Sequence, residues 1–125
     1  MSIIIQKLHR NLWRLAAVTL IPAAAVAAAP EAPKVTFIEL GSVKCIPCRM
    51  MQPVMKQVEE KYPGQVKVVF HDVWTPQGEP YGQQYKIMGI PTQVFLDKDG
   101  KEYARHVGFF DFSNVEKVLK QGGVK

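Results

Sequence analysis

The chain has 125 residues, 47% of them hydrophobic, with 16 Lys and Arg against 11 Asp and Glu, a formal charge of +5, and only two cysteines. Three of the basic residues, Lys7, Arg10 and Arg14, lie in the first 28 positions, so the remainder carries 13 basic against 11 acidic residues. Those charges are interspersed, with no basic run and no aromatic-basic interleaving, which excludes an electrostatic footprint for nucleic acid.

Residues 1–28 have the three parts of a secretory signal. Lys7, Arg10 and Arg14 form the basic region, Leu15 to Ile21 opens an apolar region, and Ala23 to Ala29 offers several A-x-A sites. Pro30 disfavours cleavage after Ala29, so cleavage is expected after Ala27 or Ala28. The alternative is an uncleaved anchor, although Pro22 and the Ala-rich second half make a weak span. No cysteine lies near the cleavage sites, which gives no support to a lipoprotein anchor. The expected location is periplasmic or otherwise extracytoplasmic, with membrane contact only if the leader is kept. Residues 29–34 read as a flexible lead-in, and 35–125 as one small domain with one core.

Val35 to Leu40 is rich in β-branched and aromatic residues and reads as a buried strand, broken by Gly41-Ser42. Ile46 to Tyr62 is helical, with Met51, Val54, Met55, Val58 and Tyr62 on one face. Pro47 suits the first turn, whereas Pro53 inside the helix is expected to kink it. Pro63-Gly64 ends the helix. Gln65 to Asp72 is the second strand, Val73 to Pro80 a polar loop, Tyr81 to Met88 a short helix, and Gly89 to Thr92 a turn. Gln93 to Leu96 is the third strand. Asp97-Lys98-Asp99-Gly100 is a hairpin signal leading to a fourth strand over Lys101 to Val107. Ser113 and Glu116 have the spacing of a capping box for a last helix, which Gly122-Gly123 ends. The order βαβαββα predicts an α/β fold: a four-stranded mixed sheet with helices on both faces, its first unit a right-handed parallel crossover.

Cys45 and Cys48, two residues apart, stand between the first strand and the first helix. Open α/β sheets place their sites at that end of a strand. A structural disulfide is one reading in an oxidising compartment, but a loop this small constrains the unfolded chain little. A zinc site would need two more ligands, and His71 and His106 lie far apart without ligand-like spacing. A redox pair fits the placement best.

Cys45-x-x-Cys48, Pro53, the Gly89-Ile90-Pro91-Thr92 turn, and Gly100 and Gly108 in the hairpin region together resemble the thioredoxin superfamily over Val35 to Gln121. The resemblance implies a compact thioredoxin fold and assigns Cys45 as the exposed nucleophile and Cys48 as the buried resolving thiol. It makes Pro91 a cis-proline facing the disulfide, with Ile90 offering backbone bonds to a substrate peptide. It aligns Glu39 with a buried acid of thioredoxins. The chain departs from thioredoxins proper at Lys44, where Trp is usual, and at the middle dipeptide Ile46-Pro47. It also lacks their first strand and helix, and has a longer loop carrying Trp74.

A thiolate is the attacking species, and a helix start with Lys44 and Arg49 nearby is expected to lower the Cys45 pKa from about 8.5 toward 7 or below. Pro47 stiffens the turn between the two cysteines. Glu39 reads as a proton acceptor for Cys48 if buried, or as a strand-end residue if it faces solvent. Lys44 is an electrostatic tuner or a solvated lysine, and Trp74 a flank of the substrate groove or a core aromatic.

The expected function is that of a thiol–disulfide oxidoreductase, without cofactor or metal, reducing disulfides of exported proteins, as in cytochrome c maturation. Its partners would be disulfide- or dithiol-containing exported proteins and a membrane thiol-electron transporter, and it would act as a monomer. The alternatives are a disulfide oxidase or isomerase, and a non-enzymatic binding module on the same scaffold.

Overall fold

In the computed structural model the described residues are 28–125. The leader expected over 1–28 lies, but for its last residue, outside them. Four strands, β1 (Val35–Gly41), β2 (Val66–Asp72), β3 (Thr92–Leu96) and β4 (Glu102–Val107), form one sheet in the order β2-β1-β3-β4. β1 pairs parallel with β2 and antiparallel with β3, and β4 closes the far edge antiparallel to β3. The helices are α1 (Ile46–Arg49), α2 (Met51–Lys61), α3 (Glu79–Gln84) and α4 (Phe112–Gln121). This is the expected βαβαββα mixed sheet, with the helical stretch after β1 divided in two.

β1 is the central connector, and its side chains alternate between two cores. Val35 and Phe37 join Met51, Val54, Met55 and Val58 of α2 and Val115 and Leu119 of α4. Phe37 stacks on Phe95 of β3, ring centroids 5.0 Å apart. Ile38 and Leu40 point the other way, into a smaller core with Val94, Tyr85 and Ile87. On that side Tyr81 of α3 stacks on His71 of β2 at 3.6 Å. Helices therefore cover both faces, and β1 can be apolar on both. Glu39 falls on the α2 side, between the buried Phe37 and Gly41.

Several boundaries differ from the sequence reading. The kink expected at Pro53 is instead a break at Met50, with α2 starting at Met51. Pro53 has no N–H to give the carbonyl four residues back, so one continuous ladder cannot run through it. α3 starts before Pro80 because proline is tolerated in a first turn, and it ends before Lys86, whose φ is +50°. The cap of α4 is Asp111, not Ser113. Asp111 Oδ1 accepts from the Asn114 N–H at 3.1 Å, which moves Ser113 into the first turn. Glu116 is occupied elsewhere, accepting from Lys61 Nζ and from the Tyr62 hydroxyl. The hairpin lies at the expected place: Gly100 has φ +78°, and its N–H donates to the Asp97 carbonyl.

At the lower end of the sheet the Lys34 N–H donates to the Gln65 carbonyl at 2.8 Å, tying the end of the lead-in to the start of β2. Among the described residues no helix is long and apolar enough to cross a membrane.

Candidate active site

The carboxyl end of β1 and the amino end of β3 are neighbours, because Leu40 pairs with Thr92. The loop from Gly41 to Cys45 and the segment Ile90-Pro91 thus leave the sheet at the same end. A disulfide joins Cys45 and Cys48, with Cα atoms 5.2 Å apart. Cys45 is the N-cap of α1, extended at φ −95° and ψ 125°, and its Sγ accepts from the Cys48 N–H at 3.4 Å. A sulfur in this place takes the role a Ser or Asp oxygen plays at other helix starts. Pro47 lies in the first turn, where a missing N–H leaves no bond unmade. Cys48 is fully buried, and Cys45, expected to be exposed, is itself only 8% exposed in the disulfide, because its sulfur is turned in to cap α1; Ile46 beside it is 66% exposed.

Below the cysteines, Gly41 is the point of closest approach. A Cβ there would lie 3.1 Å from Cys48 Cβ, 3.2 Å from Cys48 Sγ and 3.4 Å from Glu39 Oε1. The buried acid and the buried sulfur therefore sit over the same glycine, and the solvent-facing alternative for Glu39 is excluded by its burial. Neither carboxyl oxygen closes a hydrogen bond of ordinary geometry. Burial pushes the Glu39 pKa up to about 8, and the neighbouring Gln93 amide lowers it by less.

The Ile90–Pro91 peptide bond is cis. Pro91 is buried and Ile90 half-buried. The Pro91 carbonyl accepts from the Gly108 N–H at 2.8 Å, which fastens this segment to the end of β4. Trp74 is 61% exposed and is no core residue. Lys44 is exposed, and its charge acts on Asp72.

Asp72 was not singled out in the sequence, yet it organises this end of the fold. Its Oδ2 accepts from the Val43 N–H and its Oδ1 from the Trp74 N–H, both at 3.1 Å. One carboxylate thereby ties the cysteine loop to the loop carrying Trp74. Partial burial raises its pKa, but those two N–H groups, the Ser42 hydroxyl and Lys44 outweigh burial and hold it below the usual carboxylate value. Its two partners, the Val43 and Trp74 N–H groups, are backbone donors that any residue at those positions supplies, so nothing local distinguished it. Gln93 was also missed. It alternates in step with Phe95 in an apolar strand, and that period-two position marks it as facing the larger core.

The thioredoxin-like domain family matches residues 22–123. Thioredoxin H5 of Arabidopsis thaliana is 31% identical over 96 residues, covering 77% of this chain and 78% of its own. A thioredoxin of Staphylococcus aureus is 29% identical over 85 residues, 68% of this chain and 79% of its own. Among solved structures, chloroplastic thioredoxin z superposes with a TM-score of 0.64 at 26% identity, covering 72% of this chain and 79% of that one. A mutant thioredoxin from Halobacterium salinarum, 24% identical, has the same fold, with a TM-score of 0.63 over 71% of this chain and 74% of its own. With a Cys-x-x-Cys pair at the start of a helix on this sheet, the chain belongs to the thioredoxin-like family and is a thiol–disulfide oxidoreductase.

Proposed function

We propose that this oxidoreductase works in the reducing direction on disulfides of exported proteins, cytochrome c maturation being one such setting. It would do so in the periplasm or another extracytoplasmic compartment, as a monomer supplied with electrons by a membrane thiol transporter. The leader-like composition of residues 1–28 supports the compartment. The single observation behind the direction is Pro47, held in the first turn of α1 between the two cysteines.

In this reading Cys45, as thiolate, attacks one sulfur of a partner disulfide. A Cys45–sulfur bond forms, the partner's own S–S bond breaks, and its second sulfur leaves and takes a proton from water. Cys48 then attacks Cys45 Sγ. The Cys45–Cys48 bond forms, the partner's remaining sulfur leaves reduced, and two electrons have passed to the partner. The proton lost by Cys48 goes through water to Glu39, whose carboxyl lies over the same glycine as Cys48 Sγ. With its pKa raised to about 8, Glu39 mostly holds that proton at neutral pH in the disulfide state. It is then placed to return it to Cys48 when a donor thiolate attacks Cys45 and opens the disulfide. The N–H bond to Cys45 Sγ, the slight exposure of Cys45 against the fully buried Cys48, and the exposed Ile46 and Trp74 support Cys45 as the sulfur that meets partners, with the half-buried Ile90 as a backbone contact for a substrate peptide.

The reduction potential of the Cys45–Cys48 pair tests the direction. A value of about −250 mV or lower fits a reductant, and one of about −120 mV would make the protein an oxidase. Reduction of insulin disulfides by the dithiol form separates catalysis from docking, since a binding module would leave insulin intact.

A further inference from the structure

A polar side chain, Gln93, acts on Glu39. In the β1–β3 register Glu39 is paired with Gln93, and both are 0% exposed. The Gln93 Nε2 donates to the Gly108 carbonyl at 3.1 Å, while its Oε1 has no partner, like both oxygens of Glu39. A buried amide and a buried carboxyl thus lie side by side with three unpaired oxygens between them. Unmet buried acceptors are uncommon and costly. The same Gly108 donates its N–H to the Pro91 carbonyl, so Gln93 is anchored to the residue that also holds the Ile90-Pro91 segment.

We propose that Gln93 is a positioning residue for Glu39, holding the carboxyl over Cys48 and offering whichever end of its amide the protonation state requires. When Glu39 carries its proton, the O–H donates to Gln93 Oε1, the acceptor left free. When Glu39 is ionised, the second N–H of Nε2 serves the carboxylate. A carboxylate held in an apolar site with no donor ionises with great difficulty, because the bond to a charged acceptor is the stronger of the two. Gln93 therefore favours the ionised form and lets Glu39 give up its proton within the working pH range.

No charged group competes for this role. Only burial and Gln93 act on the Glu39 carboxyl. From β2 the register partner is Phe70, and from α1 Cys48 lies over the same glycine, Gly41. His106 of β4 lies beyond Gln93 in the register, stacked on Phe110 at 4.0 Å with its Nε2 against the Phe109 carbonyl. An apolar residue at position 93 would pack as well and leave Glu39 with no amide to meet.

The proposal rests on the proton-transfer role given to Glu39, but its test needs no turnover. The Glu39 side-chain carbon, identified by its loss in Glu39→Gln, is titrated by NMR in the resting disulfide form of the wild type and of Gln93→Met. The expected result is a rise of the midpoint by about one pH unit or more in Gln93→Met, with the folded spectrum retained. A midpoint that stays put or falls overturns the proposal. In the wild type, where folding is not in question, the Gln93 side-chain N–H₂ resonances should titrate with the Glu39 midpoint, and a flat response overturns it equally. A shifted midpoint together with unchanged resolving rates in Glu39→Gln would reject the proton-transfer reading while leaving the Glu39–Gln93 coupling in place.

Discussion

Replacing Glu39 by Gln removes a titrating proton and keeps almost the same shape. With a pKa of about 8, the carboxyl is about one-tenth ionised at pH 7 and about nine-tenths at pH 9. If the ionised form receives the Cys48 proton, the resolving step should rise roughly tenfold across that interval in the wild type and level off as Glu39 becomes fully ionised, whereas in Glu39→Gln it should be slower at pH 7 and keep climbing with the ionisation of the Cys48 thiol itself. The assay is rapid mixing of a Cys45 mixed disulfide with release of the reduced partner followed from pH 6 to 9. Stability gives a second reading of the same group. The folded pKa is raised from 4.5 to about 8, so the folded state holds the proton more tightly than the unfolded chain. Stability is fully present below about 4.5 and falls as pH climbs through about 8, by at most about 5 kcal/mol over the whole interval. Urea denaturation of the disulfide form should show that slope in the wild type and lose it in Glu39→Gln, which becomes the more stable of the two above pH 8. Matching pH–rate profiles for the two proteins would refute Glu39 as the proton acceptor, and matching stability slopes would refute its raised pKa.

Cys48→Ser should accumulate a mixed disulfide with partner protein on Cys45, seen by mass spectrometry, because no thiol remains to resolve it; a trapped adduct on any other residue would contradict the assignment of Cys45 as nucleophile. Gly41→Ala pushes a methyl to 3.1 Å from Cys48 Cβ and should cost about 1–3 kcal/mol in urea unfolding, with the resolving step slowed as Glu39 and Cys48 are forced apart; unchanged stability would mean that the site relaxes freely. Asp72→Ala leaves the Val43 and Trp74 N–H groups without their acceptor, so both amides should exchange with solvent faster. Because the Asp72 pKa is depressed, its contribution to stability is present above the unfolded carboxylate range and lost as pH falls through its lower folded value, and a wild-type acid limb identical to that of Asp72→Ala would argue against it.

The strands were readable because each is a short apolar or alternating run between Gly, Pro or Asp, and the sheet order follows from a crossover and a hairpin. The cysteine pair was readable because its spacing and its place between strand and helix are both local. The helix ends were less so. Asp111 and Ser113 can each cap a helix, and the choice fell to Asp111 because Glu116 is drawn away by Lys61 and Tyr62, which lie more than fifty residues off in sequence. Pro53 was seen, but whether it bends or divides a helix depends on how the preceding turn is held, here by Cys45 and Ile46 carbonyls accepting from Arg49 and Met50. Asp72 and Gln93 escaped for a related reason. Each matters through partners on other elements, and only the register brings Gln93 opposite Glu39 or Asp72 level with Gly41.

That last pairing couples the redox loop to one edge of the sheet. β2 is an edge strand, held by β1 on one side alone, and Asp72 is its final residue. Edge strands open before central ones, so fraying at this end needs no global unfolding. Each such opening withdraws the Asp72 carboxylate from Val43 and from Trp74 together, slackening the loop that precedes Cys45 and the flank beside it in one event. The two loops that flank the disulfide therefore share one fastening, and whatever loosens the end of β2 loosens both.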